Sequence, residues 1–222
     1  MVSDANVEKS MSFKQVILCW TLMAFQGARR LYESITLTKP SESKMWFVHW
    51  ILGLVYYIMM SMAIWVEGTG MNEICFFCRL NVVINFVIFA AAIRSPGVSF
   101  ADARLPVPSP RTIMFLPVFL IASGIQYDCH CYLASLKEYT LPSHAAFLHV
   151  VCPHYLAECA IYLCLVFLAA PKGELVNKTL LAGLVFVVVN LGVSAGITKQ
   201  WYIRKLGEEN VQHRWKMIPF LY

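Results

Sequence analysis

Apolar positions along this chain fall into long blocks, and polar residues gather where the blocks end. Residues 1–12 are polar and of mixed charge, without the basic start, apolar core and small-residue cleavage site of a signal peptide. Residues 13–25 are apolar and run straight into Gln26-Gly27-Ala28-Arg29-Arg30-Leu31-Tyr32-Glu33-Ser34. Read as one helix, this stretch sets Gln26, Arg29, Arg30 and Glu33 on one face. Residues 45–66 carry no formal charge and are long enough to cross a hydrocarbon core of ~30 Å. Trp46, Trp50 and Trp65 suit the interfacial aromatic belt. Residues 74–93 are apolar but hold Arg79, Asn81 and Asn85, and a Pro-rich basic connection follows over 94–111. Residues 113–127 form a short apolar run broken by Pro117, and 126–143, the most polar interior stretch, reads as a loop. Two further spans, 156–170 and 180–197, flank Pro171-Lys172-Gly173, and the tail 199–222 reads as basic and mostly outside the membrane. The pattern predicts an all-α, polytopic membrane helix bundle of about five to six transmembrane helices. It divides into a polar segment, 1–12, and a membrane domain, 13–222. No internal repeat or low-complexity segment is present.

Composition narrows this further. The 222 residues are 59% hydrophobic and 14% charged, against about 25% charged in an ordinary soluble domain. That excludes disorder and disfavours a soluble fold, which could not hide so much apolar surface. Eight cysteines are too sparse for a disulfide scaffold. The net charge of +5 is spread over short connections and the last two dozen residues, which fits cytosolic helix ends and anionic headgroups and gives no nucleic-acid signature. The basic tail is expected on the cytosolic side. Counting spans back makes 126–143 cytosolic too, and the basic connection 29–44 likewise. An even number of crossings must then join 44 to 126, so one of three apolar runs stays uncrossed. With its Arg and two Asn, 74–93 is expected to be that one.

Three polar clusters stand out, because polar groups in a bilayer are expensive. Gln26, Arg29, Arg30 and Glu33 read either as a helix end meeting headgroups, with an Arg29 and Glu33 pair at i, i+4, or as one wall of a polar ligand site. The stretch Gln126-Tyr127-Asp128-Cys129-His130, with Lys137 and Tyr139, reads either as a solvated loop or as a holder for a phosphate-bearing cofactor. In Pro153-His154-Tyr155-Leu156-Ala157-Glu158, the proline suits a first helical turn, and Tyr155, Glu158 and Tyr162 then share a face. Asn190, Ser194, Thr198 and Tyr202 form a weaker stripe, since Ser and Thr in membrane helices commonly bond their own backbone. Cys75-Phe76-Phe77-Cys78 lies in an apolar run and no second pair has the usual zinc spacing, so no metal is expected. The sequon Asn177-Lys178-Thr179 sits close to the membrane and is expected to go unused.

Together, and in this order, these clusters and the terminal His213-Arg214-Trp215-Lys216-Met217-Ile218-Pro219-Phe220 resemble the C-terminal region of the steroid 5α-reductase family, its polyprenoid-reducing branch above all. The resemblance runs from about residue 13 to 222. It implies an NADPH-dependent enzyme of the endoplasmic reticulum membrane, multi-pass with a cytosolic C-terminus, reducing the carbon–carbon double bond of polyprenal for dolichol synthesis and protein N-glycosylation. Its partners would be the long polyprenoid substrate and membrane lipids, with no nucleic acid and no obligate protein partner. Carried over position by position, Gln26 takes the catalytic place, where steroid-reducing members have Tyr. The cofactor pocket would use Arg29, Gln126, His130, Lys137, Tyr139, His154, Tyr155, Glu158 and Tyr202. His154 stands where Asn is usual, Ser194 replaces an Arg as in the polyprenoid branch, and Asn210-Val211 replaces Tyr-Pro. Family members carry two membrane helices ahead of the Arg-Arg segment, so this sequence is expected to represent the C-terminal two-thirds of such an enzyme. Alternatives are a steroid or enoyl-thioester reductase of the same family, a membrane methyltransferase using S-adenosylmethionine, and an inactive homologue.

Overall fold

The computed structural model describes residues 11–37, 47–69, 108–136 and 140–222. Five α-helices account for most of them: α1 (Phe13–Thr36), α2 (Phe47–Thr69), α3 (Pro110–Ser135), α4 (Pro153–Leu168) and α5 (Lys178–Leu206). At 1.5 Å per residue, α1, α2, α3 and α5 run for about 35–44 Å, and α4 for about 24 Å. No strand occurs among the described residues. The all-helical expectation is met. The segment 74–93, expected not to cross, lies outside the described residues.

Local sequence explains where the helices start. Ser12 caps α1 by accepting from Gln15 N at 3.3 Å, and Ser109 caps α3 by accepting from Thr112 N at 3.2 Å. Pro110 and Pro153 sit in the first turns of α3 and α4, where a missing N–H costs nothing. Three sequence readings are corrected here. Residues 126–135 are the last turns of α3 and not a loop, and Pro117 lies inside that same helix without ending it. The final helix likewise continues through Leu206, well into the basic tail.

α3 packs along α4, α4 along α5 and α1 along α2, while α2 also meets α5 and α1 meets α4. The core between them is apolar, built around Phe119, Ile161, Tyr162, Leu165 and Leu180. α3 and α5 are long and apolar enough to cross a membrane, yet only 28% of each one's apolar window is buried inside the bundle. Met114, Ile121, Val189 and Val193 point outward instead. Such surface has no place in water and suits acyl chains, so the fold is a membrane helix bundle.

Polar latches close the two ends. At one end, Gln15 Nε2 donates to Leu168 O at 2.7 Å and to Ala170 O at 2.8 Å, and Asn177 Nδ2 donates to Ala169 O at 3.0 Å. These satisfy carbonyls left unpaired where α4 ends. Asn177 also caps α5 through Leu180 N at 2.9 Å and is completely buried. Both ends of its amide are thus engaged within the fold. At the other end, Val150 and Trp215 form a parallel bridge. Arg214 donates to Pro142 O at 2.9 Å. Tyr222 rests on Gly192 and Gly196 of α5, where an added Cβ would meet its ring at 3.8 Å and its hydroxyl at 3.3 Å.

Candidate functional site

The polar face of α1 does not meet headgroups. It turns inward against the end of α3 and the start of α4, and the residues meeting there are buried: Gln26, Gln126, Glu33 and Ser123 are all at most 3% exposed. A buried amide must have its four bonds satisfied locally, and Gln26 does. Its Oε1 accepts from Arg29 at 3.0 Å and from Ser123 at 3.2 Å. Its Nε2 donates to Gln126 Oε1 at 2.9 Å and to Glu158 Oε2 at 3.4 Å. Gln126 repeats the pattern one layer on: Oε1 also accepts from Arg29, and Nε2 donates to Glu158 and, at 3.5 Å, to His154 O. These partners fix which end of each amide is nitrogen.

Charge is balanced in the same place. Arg29 and Arg30 both pair with Glu33. His130 Nδ1 lies 2.8 Å from Glu33 Oε2 and 2.8 Å from Arg30 Nη1. One nitrogen cannot donate to Glu33 and accept from Arg30 together, and with Arg30 already donating to Glu33, Nδ1–H donating to the carboxylate is the consistent state. Two guanidinium groups thus face two carboxylates, Glu33 and Glu158.

A cavity of about 190 Å³ opens beside this network. Arg30, Gln126, His130, Tyr155 and Glu158 form its polar end, and Tyr56, Phe186, Val187 and Leu191 its apolar end; Gly53, Tyr57, Tyr162 and Asn190 complete the lining. The Tyr57 hydroxyl lies in polar contact with Arg30 and Tyr162. Tyr56 packs edge-on against Tyr162 with centroids 5.5 Å apart.

Of the residues singled out from sequence, Gln126, His130, Tyr155 and Glu158 line the cavity, and Arg29 and Gln26 stand directly behind it. His154 is adjacent: its ring sits 4.3 Å from that of Tyr155 and 5.3 Å from that of His130, and its Nδ1 is buried without a partner. The other buried orphan nearby is Arg29 Nε. Tyr202 is elsewhere, packed on Trp201 at 5.1 Å and not on the cavity wall. Lys137 and Tyr139 lie outside the described residues. Ser194 and Thr198 donate to the carbonyls of Asn190 and Ser194 at 2.9 Å each, the backbone bonding that the bland reading of the stripe required. Sequence reasoning missed Tyr56 and Tyr57. They sit in a run chosen for lacking charge, and only their neighbours from α1, α4 and α5 reveal them.

The described residues hold no group of three or more His, Cys, Asp or Glu side chains able to take a metal ion. What they offer is a buried hydrogen-bonding floor with cations at one end and an apolar wall at the other. That suits a polar ligand that carries a hydrocarbon part.

A protein-family profile described as 3-oxo-5-alpha-steroid 4-dehydrogenase matches residues 69–222. Among curated proteins, polyprenal reductase 2 of Oryza sativa subsp. japonica is 30% identical over 217 residues, which cover 93% of this chain and 59% of the rice protein. Polyprenal reductase of Saccharomyces cerevisiae is 29% identical over 205 residues, covering 92% and 64%. Polyprenal reductase of Xenopus laevis is 27% identical over 217 residues, covering 93% and 59%. The chain therefore spans about three-fifths of the length of these relatives. No solved structure matches.

Proposed function

The chain belongs to the 3-oxo-5-alpha-steroid 4-dehydrogenase family, and from that premise we propose that it reduces the α,β-double bond of polyprenal with NADPH. The product would feed dolichol synthesis and protein N-glycosylation, in the endoplasmic reticulum membrane with the C-terminus on the cytosolic side. The observation that carries this reading is the cavity lining, with Arg30 and His130 among its polar groups and Tyr57 beside the apolar wall of Tyr56, Phe186 and Val187. An enal needs that arrangement, because its carbonyl must meet a hydrogen-bond donor while its hydrocarbon part stays out of water.

The residues present fit a nicotinamide dinucleotide. His154 Nδ1 and Arg29 Nε are buried polar atoms without partners at the polar end, and a buried orphan calls for a ligand. Arg30 and His130 would take phosphate or ribose oxygens, and the rings of His154 and Tyr155 would pack against a flat heterocycle. When bound, NADPH supplies the hydride for the β-carbon. The chain's own part is positional and electrostatic. Hydride arrival leaves an enolate, and a donor aimed at its oxygen is worth about 3–4 kcal/mol. Tyr57 is placed for this role: it lines the cavity, and its hydroxyl lies in polar contact with Arg30. Gln26, completely buried, acts through the two groups it holds and does not itself reach the cavity.

The test is the polyprenoid profile, by mass spectrometry, of cells lacking their own polyprenal reductase and expressing this chain. The expected result is the return of α-saturated dolichols, and loss of that return in Tyr57→Phe. Persistence of unsaturated polyprenoids, with the protein present in the membrane, overturns the assignment.

A further inference from the structure

Among the described residues, the apolar end of the cavity opens between α2 and α5. These helices run antiparallel and touch where Gly183 meets Met60. An added Cβ at Gly183 would lie 2.5 Å from Met60 Sδ, and Tyr56 donates to Gly183 O at 3.3 Å. About two turns along α2 the contact is gone: Gly53 lines the cavity, is exposed, and has nothing within 4 Å of an added Cβ. On α5, Phe186 lines the cavity and is 45% exposed. The two helices thus close at one level and part at the next. Phe186 is eight residues into α5, about 12 Å from the helix start, at hydrocarbon depth.

We propose that this opening is the passage for the substrate's prenoid chain, and that Gly53 determines specificity for long chains by keeping it open. The inference rests on the reductase reading above. Size supports it. A cavity of about 190 Å³ cannot hold a chain of many isoprene units. Most of such a chain must leave, and among the described residues the path from the polar floor runs past Tyr56, Phe186 and Val187 to the outside of the bundle. Tyr56 and Phe186 stack at 5.6 Å and 25°, forming a flat apolar sill. Asn190 sits one turn beyond Phe186, exposed and on the cavity lining. A polar side chain facing lipid is costly. At this lip it offers a hydrogen bond to a carbonyl head entering from the bilayer.

Gly53→Phe fills the opening, and the empty space around Gly53 lets the variant fold. In membranes bearing the full chain, kcat/KM is measured for a polyprenal of about ten isoprene units and for 3-methylbut-2-enal. Gly53→Phe should lower the long-to-short ratio by about tenfold or more. An unchanged ratio overturns the inference while leaving the reductase reading intact. A second measurement does not depend on turnover: a diazirine placed on the third isoprene unit of the long polyprenal should label α2 near Gly53 and α5 near Phe186. Labelling confined to other helices overturns the passage. Labelling at the opening without reduction of either enal supports the passage and overturns the reductase reading.

Discussion

Glu33 is the sharpest place to perturb the buried charge cluster. It is 3% exposed and pairs with Arg29, itself 11% exposed, and with Arg30, at 37%. Glu33→Met leaves two guanidinium groups facing Glu158 alone, one uncompensated charge inside the bundle. Removing one partner of a buried pair costs about 3–5 kcal/mol. Nearly all of this falls on Arg29, because Arg30 can turn to solvent and exposed pairs are worth little. For a chain of this size the cost corresponds to a fall in Tm of about 6–20 °C. The double variant Arg29→Met, Glu33→Met restores neutrality, with Arg30 against Glu158. It also leaves no orphan acceptor, since Gln26 Oε1 keeps Ser123 at 3.2 Å and Gln126 Oε1 keeps Gln26 Nε2 at 2.9 Å. It should recover at least about 2 kcal/mol of the loss. The assay is heat-induced loss of folded protein in lipid nanodiscs for wild type, both single variants and the double. A double variant no better than Glu33→Met, or a single variant within about 1 kcal/mol of wild type, would refute the view that burial of Arg29 sets the cost.

Three further outcomes follow from the same structure. Glycosidase treatment should leave the chain's electrophoretic mobility unchanged, because Asn177 spends both amide atoms on Ala169 O and Leu180 N; Asn177→Ala should cost about 1 kcal/mol through the lost cap. Gly183→Ala must displace the Met60 thioether and should destabilise by about 1–3 kcal/mol, whereas Gly53→Ala meets nothing and should gain about 0.5–1 kcal/mol in helix stability. Burial pushes the Cys152 thiol, in the connection before α4, from 9.0 up to about 12. Maleimide at pH 8 should therefore modify it only after denaturation. Above pH 9 the unfolded thiol ionises while the folded one keeps its proton, so its contribution to stability falls as pH rises through that window; Cys152→Ser should flatten the alkaline limb of a stability–pH curve.

The sequence showed what depends on one helix and hid what depends on two. The face shared by Gln26, Arg29, Arg30 and Glu33, the start of α4 at Pro153, and the alignment of Tyr155, Glu158 and Tyr162 are all consequences of helical spacing, and all are present. The end of α3 was misread because Gln126, Asp128 and His130 look too wet for a membrane helix. Gln126 and His130 are tolerable there because α1 supplies their partners from about 100 residues away, while Asp128 is exposed and lies 3.3 Å from His144; no local pattern records that. Tyr56 and Tyr57 were counted as apolar mass for the same reason. Tyr202 was read both as the end of the Asn190, Ser194 and Thr198 stripe and by resemblance, and it is not on the cavity lining.

Biosynthesis feels the buried network as well. α1 leaves the ribosome with four polar side chains along one face, a poor candidate for release into lipid on its own. Its acceptor Glu158 is 132 residues downstream of Gln26. At roughly 5–20 residues per second, about 7–26 s pass before that carboxylate is made. For that interval α1 needs a sheltered place, at the translocon or beside an insertion chaperone, and its integration is completed only when α3 and α4 arrive. Substitutions that weaken the network should then show first as failed membrane insertion and rapid degradation, ahead of any defect in the mature protein.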